Sequence, residues 1–329
     1  MTQQQDIEPI APVAESGEST RTVVIALVAN GLIAAAKTIA TALSGSASMM
    51  AEAAHSWADT GNQVFLLIAD RRSRRPADAR HPLGFGREAY VWSLLAAVGL
   101  FVVGASVSIW HGITEIIHGE SERGDYFLSY IVLAIALVLE GISFLQAVRQ
   151  LRGEAQLYNR DLLQHALATS DPTTRAVFAE DAAAVIGIVI AFAGIGLHQL
   201  TGNAVWDALG SILVGILLGV IAVILIDRNR RFITGEPASD ELRDAVVTRI
   251  TALREVAEVR FIRLVFVGPK RLFVVASVDL VGDDAESHVA RTLRRLEQQL
   301  EEDPHIADAV LTIADPEDDG VSDKRRLRH

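Results

Sequence analysis

The chain has 329 residues, half of them hydrophobic, with a formal net charge of −11 and no cysteine. Because cysteine is absent, disulfides and thiolate metal sites are excluded, and His, Asp and Glu are the strong metal ligands that remain. The acidic balance argues against a nucleic-acid partner, since binding to phosphates needs a basic surface.

The apolar residues are gathered in blocks, and six windows of about 20 residues are long enough to span a lipid bilayer. These windows are 22–43, 49–69, 89–111, 126–148, 172–197 and 204–226. The first twenty residues are polar and acidic, and we expect them to be disordered. No basic segment precedes the first window, which is therefore predicted to be a retained helix and not a cleaved signal peptide.

Arginine residues are concentrated in alternate loops. The loop between the second and third windows holds Arg71, Arg72, Arg74, Arg75, Arg80 and Arg87. The connection after the fourth window and the exit from the sixth are also rich in arginine, whereas the three opposite loops contain only Arg123. The positive-inside rule therefore predicts that both termini are cytoplasmic, and we expect a bacterial inner membrane.

The second window carries polar residues on one face. Within 49–71 (MMAEAAHSWADTGNQVFLLIADR), Glu52, His55, Asp59 and Asn62 follow one another at spacings of three, four and three. Ionisable groups at membrane depth are costly and rare, and they indicate function. A His and an Asp one turn apart also suit a divalent metal. This face therefore predicts a pathway for metal ions or protons.

The fifth window brings a second acidic pair, Glu180 and Asp181, to a matching depth. Asp181 lies about 15 Å from the cytoplasmic start of its helix at 1.5 Å per residue. By the same rise, His55 and Asp59 lie about 12 and 18 Å from the outer end of theirs. Because the hydrocarbon core is about 30 Å thick, the two helices can share one ion near the midplane.

Other polar residues within the windows are more readily explained as structural when each is taken alone. Lys37 could neutralise an acidic partner when metal is absent, and Asp207 is expected to cap the sixth helix. Asn30 and Glu140 are assigned no role beyond helix packing. Four histidines near the membrane interfaces are expected to be solvated: His111, His118, His165 and His198.

After Arg228 the composition becomes that of a soluble domain. The predicted order is helix 239–253, strand 259–267, strand 271–280, helix 285–300 and strand 309–314. The fold class is therefore a membrane all-α domain of six transmembrane helices with a C-terminal cytoplasmic α+β ferredoxin-like domain. We divide the chain into an extension (1–20), a transport domain (21–231), a cytoplasmic domain (236–316) and an unstructured charged tail (317–329).

Several stretches resemble the cation diffusion facilitator family: SGSASMMAEAAHSWADTGNQ, ARHPLGFGREAYVW and TSDPTTRAVFAEDAAAVIG. The last, followed by TGNAVWDALGSILVGILLG, is most similar to the zinc-transporter-nine-like branch. The resemblance implies a homodimeric, non-enzymatic exporter of divalent metals, mostly zinc, in exchange for protons. No HExxH motif points to an intramembrane metalloenzyme.

The same resemblance implies a metal site formed by His55 and Asp59 together with Asp181. The fourth family position falls on Val177, which has no lone pair to offer. Glu180 is the nearest spare carboxylate, although it points about 100° away from Asp181 on an ideal helix. A water molecule or a local helix distortion could also complete the ligand shell.

Two further family sites are matched only in part. Asp78 and His81 match a site in the loop between the second and third helices, but Phe85 stands where another histidine would help, and we favour a structural loop. In the cytoplasmic domain, His288, His305 and Asp315 are too few for a binuclear zinc site.

The predicted activity is proton-coupled efflux of a divalent cation, most readily Zn²⁺. Protons arriving from outside would compete for the ligands, because imidazole titrates near neutral pH and binds metal only when neutral. Two alternatives stay open. One is a transporter of the same architecture for Mn²⁺, Fe²⁺ or Co²⁺, favoured by an oxygen-rich shell. The other is a membrane metal sensor or scaffold that does not transport.

Overall fold

The structure is a computed structural model and describes residues 20–118, 126–157, 160–282 and 284–314. The predicted N-terminal extension up to residue 19, the loop 119–125 with Arg123, and the charged tail 317–329 lie outside the described residues, as does Asp315.

Within the described ranges the first two thirds of the chain are helical. The helices are α1 (Thr20–Ser44), α2 (Ala47–Ser73), α3 (Glu88–Gly99), α4 (Ser106–His118), α5 (Phe127–Leu157), α6 (Leu162–Ala168), α7 (Pro172–Thr201) and α8 (Val205–Thr234). A π-helical segment, Leu100–Ala105, joins α3 to α4. The short α6, which lies between the fourth and fifth predicted spans, was not predicted.

Five helical stretches of the described chain are long and apolar enough to cross a membrane: α1, α3 with α4, α5, α7 and α8. The remaining predicted span, α2, is 27 residues long and has polar and ionisable residues in its interior. These residues lower its mean hydropathy, so composition alone does not mark it as a span. The all-α membrane architecture agrees with the prediction from sequence.

The start of α2 is held by a side chain from another helix. Asp207 accepts hydrogen bonds from the backbone nitrogens of Ala47 (2.7 Å) and Ser48 (3.2 Å) and from the Ser46 hydroxyl (3.0 Å). In return, the Ser48 hydroxyl donates to the backbone oxygen of Asp207 at 2.7 Å. Asp207 was expected to cap its own helix, α8, but its carboxylate instead satisfies the free N–H groups at the start of α2. We call Ser46, Ala47, Ser48 and Asp207 the outer joint.

The C-terminal part folds in the predicted order. Its elements are α9 (Asp240–Thr251), β1 (Val256–Gly268), β2 (Arg271–Leu280), α10 (Glu286–Glu301) and β3 (Ile306–Ile313). The described residues form a three-stranded sheet of order β1-β2-β3, in which β1 and β2 are antiparallel and β2 and β3 are parallel. The predicted alternation along β2 holds from Leu272 to Ala276, but Ser277, expected on the opposite face, is buried together with Ala276 and Val278.

The described residues divide into two compact units. One holds 20–72 and 88–230, and the other holds the loop 73–87 together with 231–314. Within the second unit the loop packs closely on the turn between β1 and β2. A Cβ atom placed on Gly86 would lie 2.5 Å from the Val267 backbone oxygen, so this contact requires glycine.

Candidate metal site

The sequence-predicted metal pair of α2 is buried in the first unit. The His55 side chain has no exposed surface, and its Nδ1 lies 3.3 Å from Oδ1 of Asp59, one turn further along the helix. This contact does not have hydrogen-bond geometry, and both ring nitrogens of His55 and Asp59 Oδ1 are without a hydrogen-bond partner. Buried polar atoms are normally paired. In a neutral imidazole one ring nitrogen carries the proton and the other has a free lone pair, so one nitrogen of His55 and Oδ1 of Asp59 can bind a further partner such as a metal ion.

Asp59 lies on the wall of a cavity of about 130 Å³. Polar residues from four helices line this cavity: Asn30, Asp59, Gln63, Glu140, Ser143, Glu180 and Asp181. Because one water molecule occupies about 30 Å³ of liquid, the cavity can hold a metal ion with a few waters. Acidic residues of α2, α5 and α7 thus meet in one membrane-embedded space.

Both carboxylates of α7 line the cavity, and each is oriented by a neighbouring helix. Ser143 of α5 donates a hydrogen bond of 2.6 Å to Oδ2 of Asp181. The amide nitrogen of Asn62 donates to the carboxylate of Glu180. The angle of about 100° between Glu180 and Asp181 on an ideal helix therefore does not keep Glu180 out of the cavity. Val177 also lines it and offers no ligand atom.

Glu52, on the polar face of α2, and Lys37, expected to neutralise an acidic residue, are paired with each other. Lys37 Nζ lies 2.9 Å from Glu52 Oε2, and both side chains are fully buried. Neither residue is among those that line the cavity. Lys37 is therefore the partner of Glu52 and not of Glu180.

Glu140, which the sequence analysis assigned to helix packing, belongs to the same cluster. In the structure it lines the cavity together with Asp59 and Asp181. Depth could have identified it. Glu140 lies 13 residues beyond the outer start of α5, or about 20 Å, close to the depth of Asp59.

The described residues do not form a ready-made coordination sphere. Among them, no three or more His, Asp or Glu side chains are grouped closely enough to hold a metal ion as they stand. The acidic side chains line the wall of the cavity without meeting at one point. Metal binding in this cavity therefore requires side-chain rotation toward the ion.

The loop residues Asp78 and His81 form a compact turn. Oδ1 of Asp78 accepts hydrogen bonds from the backbone nitrogens of His81 (2.7 Å) and Arg80 (2.9 Å) and lies 3.1 Å from Nδ1 of His81. These bonds, above all the one from the His81 backbone, lower the pKa of Asp78. The His81 ring also packs against Phe85, with 4.0 Å between the ring centroids.

Two of the histidines expected near the membrane interfaces contact a polar neighbour. His165 and His198 were expected to be solvated, but both are buried. His165 lies 3.3 Å from Glu154, and His198 lies 3.3 Å from the Tyr126 hydroxyl.

In the C-terminal unit the two candidate histidines belong to separate pairs. His305 Nδ1 lies 2.9 Å from Asp303 Oδ1, and His288 Nε2 lies 3.5 Å from Asp284 Oδ2. Asp315, the third candidate there, is outside the described residues. Each histidine therefore has its own carboxylate neighbour.

Comparison with known proteins gives a consistent result. The family model for the cation efflux transmembrane domain matches residues 23–231. The mitochondrial proton-coupled zinc antiporter SLC30A9 of Xenopus laevis is 36% identical over 266 residues, which is 80% of this chain and 47% of that protein. The human SLC30A9 protein is 37% identical, covering 71% of this chain and 40% of that protein. Metal tolerance protein C4 of Arabidopsis thaliana is 34% identical, covering 84% of this chain and 60% of that protein. The chain thus spans about half the length of these relatives.

Proposed function

Because the chain belongs to the cation efflux family, the cation diffusion facilitators, we propose that it exports a divalent metal cation in exchange for protons. Zn²⁺ is the first candidate, since several relatives are named proton-coupled zinc antiporters. The protein is an integral membrane protein. One observation carries the proposal: a fully buried imidazole without a hydrogen-bond partner, that of His55, lies 3.3 Å from Asp59, and Asp59 lines an acidic cavity.

We propose that His55, Asp59 and Asp181 bind the transported ion, with Glu180 as a further carboxylate on the same wall. Buried carboxylates are expensive unless a cation accompanies them, and a dication supplies that charge. Neutral imidazole provides the nitrogen that zinc prefers, and the carboxylates provide oxygen. Asn62 and Ser143 keep the two α7 carboxylates turned toward the cavity.

The coupling to protons follows from the chemistry of these ligands. A metal ion binds only when the imidazole and carboxylates are deprotonated, so metal and protons compete for the same atoms. Rearrangement of the helices then exposes the site to the other side of the membrane, where protons displace the ion. A proton gradient directed inward therefore drives metal outward.

The arrangement in the membrane is also a proposal. We place the arginine-rich loops and both termini in the cytoplasm, with a transport domain at 21–231 and a cytoplasmic domain at 236–316. We propose a homodimer in a bacterial inner membrane, although the vertebrate relatives named above are mitochondrial. Accessibility of single cysteines in the cysteine-free chain would test the orientation, and mass photometry in detergent would test the dimer.

A second candidate cargo is a harder ion such as Mn²⁺, Fe²⁺ or Co²⁺. Four carboxylates are among the described lining residues of the cavity, against one nearby imidazole. An oxygen-rich shell favours harder ions over zinc. The remaining alternative is a membrane metal sensor or scaffold, which would bind metal without moving it.

Metal flux into proteoliposomes under a pH gradient tests the proposal. We expect the wild-type protein to transport Zn²⁺, and His55→Ala, Asp59→Ala and Asp181→Ala to fall to the background of empty vesicles. Val177→Ala is the matched control, because it changes the same cavity wall without removing a ligand atom. Wild-type protein that is folded and binds zinc but gives no flux would establish a sensor or scaffold. Wild-type flux in any of the three ligand variants would refute the proposed site.

The same assay, run with Zn²⁺, Mn²⁺, Fe²⁺, Co²⁺ and Cd²⁺, ranks the cargo. For Glu180, we expect Glu180→Gln to reduce zinc flux and Val177→His to restore part of it. Normal flux with an unchanged metal order in Glu180→Gln would show that Glu180 is not a ligand.

A further inference from the structure

Glu140 is an unexplained carboxylate on a helix that is otherwise mostly apolar. The span that contains it has a mean hydropathy of 2.3, and only 17% of that window is buried inside the protein. Its neighbours Val138, Leu139 and Ile142 expose large apolar side chains. A carboxylate at membrane depth is energetically costly, so its presence there indicates a specific partner.

The structure turns Glu140 toward the proposed metal site. Glu140 and Ser143 are three residues apart, so they lie on one face of α5, and both line the cavity. The hydrogen bond from Ser143 to Asp181 fixes that face against α7. A smaller adjoining cavity of about 10 Å³ is also lined by Glu140 and Asp59. The carboxylates of Glu140 and Asp59 thus line both cavities.

The atoms around this position lack protein partners. Within the described part of the chain, Glu140 makes no hydrogen bond or ion pair. The buried base Lys37 is already paired with Glu52 at 2.9 Å. Close to this cavity lies the fully buried His55, both of whose ring nitrogens lack a hydrogen-bond partner and whose Nδ1 lies 3.3 Å from Oδ1 of Asp59. An open imidazole beside Asp59, together with the unpaired Glu140 on the same cavity wall as Asp59, offers ligand atoms to a divalent cation.

Comparison with Glu180 favours Glu140 as the additional donor. Both carboxylates line the cavity, but Glu180 accepts the amide of Asn62 through both of its oxygens. The oxygens of Glu140 have no such donor among the described residues. A metal ion can therefore bind Glu140 without breaking an existing hydrogen bond.

We propose that Glu140 is a direct ligand of the transported cation and takes the place of the donor that is absent at Val177. This inference rests on the proposed function, because it assigns a ligand to the same site. The site then contains one nitrogen, from His55, and oxygens from three helices. Such a set lowers the preference for zinc over harder ions relative to a site with two imidazoles.

Metal binding by the purified full-length protein tests the assignment separately from transport. Binding of Zn²⁺, Mn²⁺ and Co²⁺ is measured by calorimetry in detergent for the wild type, Glu140→Gln and Glu154→Gln. Glu154→Gln is the matched control, since it makes the same change on the same helix outside the residues that line the cavity. We expect zinc affinity to fall at least 10–100-fold in Glu140→Gln, the range seen for loss of groups that only support a ligand, and to stay unchanged in Glu154→Gln.

Two further variants distinguish a ligand from a structural residue. Val177→Asp in the Glu140→Gln background returns a carboxylate to the cavity wall from α7, and we expect it to recover part of the lost affinity. Glu140→Asp keeps the charge but withdraws the oxygens by one methylene, so it should change the order of Zn²⁺ and Mn²⁺ affinities and the visible spectrum of bound Co²⁺. Glu140→Asp also serves if Glu140→Gln does not fold.

The outcomes separate this inference from the proposed function. Wild-type zinc affinity in folded Glu140→Gln, or an unchanged metal order and cobalt spectrum in Glu140→Asp, would overturn the ligand role even if the wild type transports zinc. If Glu140→Gln loses zinc binding while Glu154→Gln keeps it, the ligand role is supported. If the wild type in addition gives no flux, transport is refuted while the ligand role stands.

Discussion

Two polar clusters on α2 are built in opposite ways. In the outer joint, the Asp207 carboxylate accepts three hydrogen bonds, and the Ser48 hydroxyl donates to the Asp207 backbone. Around His55 and Asp59, two or three turns along the same helix, the ring nitrogens and one carboxylate oxygen have no hydrogen-bond partner. Polar groups that hold a membrane fold together are normally satisfied inside the protein. The unpaired atoms of His55 and Asp59 are instead free to bind a ligand.

Lys37 and Glu52 are paired with each other although Glu52 lies only one turn from His55, and Lys37 holds Oε2 of Glu52 while Oε1 has no hydrogen-bond partner. The pair links α1 to α2 through a buried contact of 2.9 Å. The comparison therefore predicts that removing a paired group lowers stability, whereas removing an open group lowers transport.

The largest stability effect is expected at Lys37. Lys37→Met leaves the fully buried Glu52 carboxylate without its cation, and loss of one partner of a buried pair costs about 3–5 kcal/mol. We expect a clear fall in the thermal midpoint in detergent, measured by size-exclusion of the remaining folded protein. Lys37→Met with Glu52→Gln should recover most of the loss, because the unpaired charge is gone.

Asp59→Ala is the counterpart from the open cluster and should not lower the thermal midpoint. The comparison fails if Asp59→Ala is as unstable as Lys37→Met, or if Lys37→Met melts like the wild type.

The next effect is expected at the outer joint. Asp207→Ala removes the acceptor for the first N–H groups of α2, which should cost about 2 kcal/mol. Asp207→Asn keeps one acceptor oxygen and should lie between Asp207→Ala and the wild type in thermal midpoint. Zinc flux per folded molecule should remain close to the wild type, because the joint holds no cargo. Flux lost entirely from well-folded Asp207→Asn would contradict this division.

Local sequence pattern accounts for the spans and for the acidic residues of α2 and α7. Hydropathy identifies the helices because bilayer thickness fixes their length, and spacing places His55 and Asp59 on one face. The role of Asp207 could not be predicted in this way, since it caps a helix that begins 160 residues earlier in the chain. Glu140 was discounted because its significance depends on which helix faces it. Tertiary packing decides which helices face each other, and the periodicity of a single helix does not predict this.

A smaller effect is expected where α7 contacts the Lys37–Glu52 pair. A Cβ atom on Gly187 would lie 2.5 Å from Oε1 of Glu52, whose other oxygen is held by Lys37. Gly187→Ala should therefore displace the pair and cost about 1 kcal/mol through overpacking. Gly141→Ala is the matched control, because a Cβ there meets nothing within 4 Å, and it should be neutral or slightly stabilising. Equal thermal midpoints for the two variants would show that Glu52 is not held in place.

The smallest effect is expected at Asp78. Asp78 and His81 form a second His–Asp contact, which can be compared with that of His55 and Asp59. His81 lies 3.1 Å from Asp78, but there the aspartate is about half exposed and hydrogen-bonded to the loop backbone. Those bonds lower the pKa of Asp78 below its ordinary value of 3.8. The stability that they contribute is therefore present above that value and is lost as the pH falls through the lower pKa of the folded state.

Asp78→Asn should consequently lower the thermal midpoint slightly at pH 7, and the difference from the wild type should shrink as the pH is taken below 3.8. The difference should be small because the pair is exposed to solvent. Zinc flux at neutral pH should be unchanged, in contrast to Asp59→Ala, although both changes remove the aspartate of a His–Asp contact. A loss of flux in Asp78→Asn comparable to that in Asp59→Ala would mean that the loop pair handles metal. Hydrogen bonds to the backbone would then not be a criterion that separates structural polar groups from groups that bind the transported ion.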